Sequence, residues 1–208
     1  MKKMLYLLAF SFMFLMFNHE TSAAEYKKNY YPTKTEIEAL NQELQELVDE
    51  ANERLSNGEK NIELTSKNLK LVFKENNSLG SENIMTNQLN TMGVNASSIG
   101  SKSYQAYVTN TAGFNFTHAV SGIFSWNGDY LTGVSADADL TGIMYDKSSN
   151  TTVTGLDGTI GRDAKIARVT SKGTFKALKY FVTYHTTLMV DVYAPTKSYR
   201  IVEAKITY

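Results

Sequence analysis

Apolar residues recur at spacings of three and four from Ile37 to Leu55, through Leu40, Leu44, Leu47, Val48 and Ala51. That period predicts an amphipathic helix over residues 33–57 with a single apolar stripe. Thr33-Lys34-Thr35-Glu36 has the capping-box pattern, in which the Thr hydroxyl and the Glu carboxylate satisfy free backbone N–H groups reciprocally. Asn57-Gly58 provides a stop, because Gly58 can adopt the left-handed conformation. The other faces are acidic: Glu36, Glu38, Glu43, Glu46, Asp49, Glu50 and Glu53 stand against Lys34 and Arg54. The stripe is short for a coiled coil and lacks complementary charges. It is expected to lie against the rest of the protein.

Beyond the helix the period falls to two. Residues 61–102 read as a connector, with a strand at Asn68–Lys74, a short helix at Ser81–Met92 and a Gly/Ser/Asn-rich loop over 93–102. From residue 103 to 208, Tyr, Thr, Val, Phe and Ile dominate. Turn residues recur at Asn127-Gly128, Ser148-Ser149-Asn150, Asp157-Gly158, Lys172-Gly173 and Ala194-Pro195. Leu178–Tyr193 alternates apolar and polar positions, and Ser198–Thr207 is expected to return antiparallel after Pro195. The fold expected is mainly β: an antiparallel β-sandwich or barrel-like sheet preceded by an amphipathic N-terminal helix. Its parts would be an acidic helical segment (24–60), the connector (61–102) and an antiparallel β domain (103–208).

The hairpin near Asn127-Gly128 bears on function. Phe114, Phe116, His118, Val120, Gly122, Phe124 and Trp126 share one face of the incoming strand. Tyr130, Thr132, Val134, Ala136, Ala138 and Leu140 share one face of the outgoing strand. A two-residue Asn127-Gly128 loop would set His118 opposite Asp137, an attractive histidine–carboxylate pair. It would also set an apolar face beside a polar one, because a one-residue slip reverses every side chain. A three-residue Trp126-Asn127-Gly128 loop aligns both apolar faces and sets His118 opposite Ala136 or Ala138. Burying each large side chain is worth about 1.5–3 kcal/mol, and one exposed ion pair about 0–1 kcal/mol. The aligned register is expected to win, which leaves His118 a buried or half-buried histidine with a local hydrogen-bond partner.

The N-terminus changes the picture of where the protein acts. Met1-Lys2-Lys3-Met4 is basic, Leu5 to Phe17 is apolar, Asn18-His19-Glu20 is polar and Thr21-Ser22-Ala23-Ala24 is small. That order is the layout of a cleavable secretory signal peptide over residues 1–23, with cleavage near Ala23 or Ala24. The apolar run is shorter than the roughly 18–20 residues that span a bilayer. Neither a lipid-attachment cysteine nor a hydrophobic C-terminal tail is evident, so a released extracellular product is expected. The sequence has no cysteine, whereas small secreted eukaryotic domains usually carry disulfides. A bacterial origin follows as the expectation. Removing residues 1–23 deletes Lys2, Lys3 and Glu20 and leaves 19 basic against 20 acidic residues. That balance argues against nucleic acid as a partner.

Catalytic chemistry is hard to assemble from what remains. His118 and His185 are the histidines left after export, and neither has a motif around it. There is no GxSxG, no HExxH and no EF-hand loop. Asp137 and Asp139 stand about 7 Å apart on one strand face. They are candidates to hold a cation with Asp157 or Asp163. Trp126, the single tryptophan, is a candidate to stack on a sugar. No cofactor is implied. The function expected is non-enzymatic binding of an extracellular protein or cell-envelope glycan. The alternative is a secreted antibacterial or pore-forming toxin-like protein that uses the 112–145 hairpin, since that hairpin alternates as membrane-spanning strands do.

Overall fold

The computed structural model describes residues 33–74, 99–111, 115–177 and 183–207. The expected signal peptide and the expected helix at Ser81–Met92 lie outside the described residues, as do Phe114 and the start of the Leu178–Tyr193 run. One helix, α1 (Lys34–Ser56), precedes ten strands among the described residues. They are β1 (Asn61–Thr65), β2 (Leu69–Lys74), β3 (Ile99–Asn110), β4 (Phe116–Asn127) and β5 (Tyr130–Val134). After these come β6 (Asp137–Thr141), β7 (Tyr145–Gly155), β8 (Ile166–Ala177), β9 (Thr183–Tyr193) and β10 (Ser198–Thr207). Two antiparallel sheets result. One runs β1-β2-β3-β4-β5, with β6 also paired to β4, and the other runs β10-β9-β8-β7.

The capping box forms at the start of α1. The Glu36 N–H donates to the Thr33 hydroxyl at 3.2 Å, and the Thr33 N–H donates to the Glu36 carboxylate at 2.6 Å. The Thr33 N–H and hydroxyl, both donating to the Glu36 carboxylate, hold it below its usual pKa. Ile37, Leu44, Leu47, Val48 and Ala51 are buried. They join one core with inward residues of both sheets, including Phe73, Val108, Phe116, Phe124, Phe175, Leu188 and Ile201. Aromatic contacts cross from sheet to sheet: Phe116 meets Phe175 with ring centroids 4.5 Å apart, and Phe73 stacks on Tyr199 at 4.3 Å.

Two asparagines fasten α1 to the outer edge of β10. Asn41 donates from Nδ2 to the Ile206 carbonyl at 2.7 Å and accepts from the Ile206 N–H at 2.8 Å. Asn52 does the same at Ile201, at 2.7 and 3.1 Å. Each amide therefore bonds as a neighbouring strand would, and covers backbone groups that an open edge leaves bare. A bulge falls between Ile201 and Glu203, at Val202.

Three sequence expectations are corrected here. The segment after α1 was expected to carry one strand; it carries two, because Ile62 and Leu64 alternate inward and pair with Phe73 and Leu71. The expected loop over 93–102 ends early: Ile99–Lys102 already pair with Asn127–Phe124 as part of β3. Gly100 fits there because a side chain would meet the Trp126 ring at 2.7 Å. The expected outgoing strand of the hairpin is two strands, broken after Val134.

Candidate functional site

The hairpin turn has its own solution to the register problem. Asn127 pairs with Tyr130 across a two-residue Gly128-Asp129 loop, with Gly128 at φ +60. The register then shifts at Thr132, so that Ser125 pairs with Gly133 and Phe124 with Val134. This extra residue restores the phase that the two-residue loop lost. The apolar faces align, but His118 pairs with Leu140, not with Ala136 or Ala138. Asp137 pairs with Ser121.

His118 is completely buried between the sheets. Its Nε2 lies 2.8 Å from the Ser171 hydroxyl of β8, and its Nδ1 lies 2.8 Å from the Thr186 hydroxyl of β9. Ser171 in turn lies 3.0 Å from the Thr151 hydroxyl of β7. A hydroxyl can donate or accept, so a neutral imidazole is satisfied in either tautomer. Burial without a carboxylate disfavours the charged form and pushes the His118 pKa down to about 4. Gly173 makes room: a side chain there would meet both Thr186 and the His118 ring. A Ser–His contact is present, but the serine is as enclosed as the histidine and no acid orients the ring. The arrangement is a satisfied polar core. Ser171 and Thr186 occupy the buried phase of strands otherwise filled by Val169, Phe175, Leu188 and Val190. A hydroxyl in that phase is the sequence signal of a buried polar partner.

The other sequence candidates separate. Trp126 is half-buried at the end of the core, 5.5 Å from the Phe124 centroid, with the Lys197 ammonium 5.5 Å over its ring. Lys197 is fixed there by donating to the Gly128 and Ala194 carbonyls at 2.6 and 2.7 Å. Asp137 and Asp139 are exposed on the outer face of β6. Asp157 accepts from the Lys165 and Ile166 N–H groups at 2.9 and 3.0 Å, which lowers its pKa. Asp163 accepts from the Thr159 N–H at 2.6 Å. Both carboxylates thus fold their own loop, 156–165. That loop covers β5, with the Leu131 N–H donating to Ala164 and the Leu131 carbonyl accepting from Gly161. Among the described residues, no three His, Asp or Glu side chains converge to hold a metal.

Among the described residues, the outer face of the four-stranded sheet and its β7 edge stand open to solvent. Cross-strand pairing sets Asn150, Lys172, Thr187 and Lys205 in one row, and Ser148, Thr174, His185 and Thr207 in the next. Asn150, Lys172 and Lys205 are exposed, as are Ser148, His185 and Thr207. Arg168 forks onto Asp191 at 2.7 and 2.9 Å in a third row. Arg200 lies 5.3 Å over the Tyr193 ring beside that pair. β7 is the outer strand, and Asp146 to Asn150 are five consecutive exposed residues. The comparisons with known proteins add nothing to this geometry: no family model, curated protein or solved structure matches the chain.

Proposed function

We propose that this chain is a secreted bacterial binding protein, without enzymatic activity, that acts at a cell envelope or another extracellular surface. Its two sheets are read as a β-sandwich, since they share a core and neither closes on itself. One observation carries the functional reading. The histidine best placed for chemistry is sealed in the core with hydroxyl partners only, while a whole sheet face of small polar and basic side chains stands in water. Such a face suits recognition of an extended protein segment or a glycan rather than turnover. The signal-peptide pattern supplies the location.

The pore-forming alternative has less support. Strand β4 pairs with β3 along its whole length and with β5 and β6 on its other side. Phe116, Val120 and Phe124 are buried at 0–1% exposure. Pulling the hairpin out would divide the larger sheet and open the core.

The test mixes the secreted protein with Gram-positive cells and with liposomes, and follows sedimentation and dye entry. The expected result is saturable binding to cells without dye entry. Protease treatment of the cells then separates a protein partner from a glycan. Dye entry into liposomes would overturn the proposal in favour of a membrane-active toxin.

A further inference from the structure

Long strand edges are normally blunted, because bare N–H and C=O groups recruit other strands. Among the described residues, some edges are covered and one, that of β7, has no hydrogen-bonded neighbour. Asn41 and Asn52 cover β10, and loop 156–165 covers β5. Strands β1 and β6 are only five residues long. β7 is eleven residues long and pairs with β8 from Tyr145 to Gly155 without a register shift. It contains no proline, and from Ser148 to Gly155 no charge. Among the described residues, no second strand is hydrogen-bonded to it. Ser148, Ser149, Asn150, Thr152 and Thr154 are exposed.

The chemistry beside this edge is basic. Lys172 of β8 lies next to Asn150, and Lys176 lies next to Asp146, both on the outer face. Both lysines are exposed, and neither has an ion-pair partner among the described residues. Lys147 stands at the near end of β7 and donates to the Gly142 carbonyl at 3.0 Å. A strand added to β7 would lie two strand spacings from β8, about 9.5 Å. Ser148, Asn150 and Thr152, which are short, would stand between the added strand and Lys172, whereas Asp146 stands between it and Lys176. A lysine and a glutamate side chain reach across that gap together.

From this edge and its flanking charges we infer that β7 is a docking edge for an extended acidic peptide segment of a partner protein. The segment adds as a fifth strand beside β7. Its backbone supplies the ladder hydrogen bonds, and a carboxylate meets Lys172 past Asn150, while Lys147 and Lys176 outweigh Asp146 in the charge around it. This rests on the binding reading above and names the partner class for it.

The experiment titrates two ten-residue peptides, one alternating Thr and Glu and the other Thr and Lys, into the full-length protein. Affinity and amide exchange are both read. The acidic peptide should bind at least tenfold tighter at low salt, and the preference should shrink as salt rises. Exchange should slow at residues 148–154. Lys172→Glu with Lys176→Glu leaves the core untouched and should reverse the preference. Equal affinity for the two peptides, no binding of either, or protection elsewhere would overturn the inference. So would a protein that, without peptide, sediments as a dimer with β7 amides protected, since a second copy would then be the occupant. Cell binding that persists without peptide binding would overturn the edge inference alone; loss of both would overturn the binding proposal as well.

Discussion

Tyr104 and Ser135 meet across the backbone of Gly122, the tyrosine hydroxyl donating to the Ser135 carbonyl at 2.7 Å. That carbonyl is free to turn because the Ser135 hydroxyl accepts from the Ile123 N–H at 2.9 Å. The side chain stands in for its own backbone, and the strand breaks there into β5 and β6. Tyr104 is buried, which pushes its pKa upward. Tyr104→Phe should leave the carbonyl without its donor and cost about 1–3 kcal/mol. Gly122→Ala should cost more, because its methyl group would strike the Ser135 carbonyl oxygen. Urea midpoints at constant slope measure both. A Gly122→Ala protein as stable as the parent would refute this account of the break.

Acid should loosen the contact between the sheets. Burial pushes the His118 pKa down to about 4 in the folded protein, against an ordinary value of 6.5. The unfolded chain therefore takes up a proton first as pH falls. Stability from this site is complete above pH 6.5 and lost progressively down to about pH 4. The loss is about 3 kcal/mol by linkage. Urea unfolding at a series of pH values should show it, and His118→Leu should remove this dependence whatever its effect on stability at neutral pH. A stability flat from pH 7 to 4 in the parent would contradict the buried neutral imidazole.

Asn41→Ala and Asn52→Ala each remove two hydrogen bonds and leave a strand N–H and C=O without protein partners. Each should cost about 1–3 kcal/mol. The two sites are far enough apart for the losses to add. The double variant should also associate through the bared β10 edge, seen as concentration-dependent sedimentation. A double Ala variant that left stability and solution mass unchanged would show that the amides do not hold the helix.

Asp191 is almost completely buried at 2% exposure although it lies on the outer face, because Arg168 and Tyr193 close over it. Arg168→Leu would strand that carboxylate and should cost about 3–5 kcal/mol. Adding Asp191→Asn to Arg168→Leu should recover part of the loss, since it removes the unpaired charge. A double variant no more stable than Arg168→Leu alone would place the cost in lost packing rather than charge.

The mainly β fold and the leading helix follow from two periods in the sequence, because burial on one side of an element forces that element's own repeat. The same logic aligned the apolar faces of the hairpin and separated His118 from Asp137. It did not locate the turn. One extra residue at Thr132 corrects the phase, and a threonine fits either face of a strand, so its polarity does not mark the bulge. His118 was legible as a buried histidine; its partners were not, since Ser171 and Thr186 come from strands distant in sequence. Asn41 and Asn52 resemble ordinary polar helix residues because what they recognise is backbone, which carries no sequence signal. The open β7 edge was equally hidden: knowing which strands lie inside a sheet requires knowing their order.

The bulge at Val202 sets the phase in which helix and strand meet. Outward backbone groups on a regular strand recur only at even spacings, yet Ile201 and Ile206 are five residues apart and both face α1. The bulge makes this possible, because across it the two residues stand opposite Val190 and Thr186, which are four residues apart. On the helix, the eleven residues from Asn41 to Asn52 return to within about 20° of the same face. A single inserted or deleted residue between Asn41 and Asn52 would rotate one amide by about 100° and break the match. The length of this segment should therefore be rigid across descendants of the sequence, while its solvent-facing acidic residues remain free to drift.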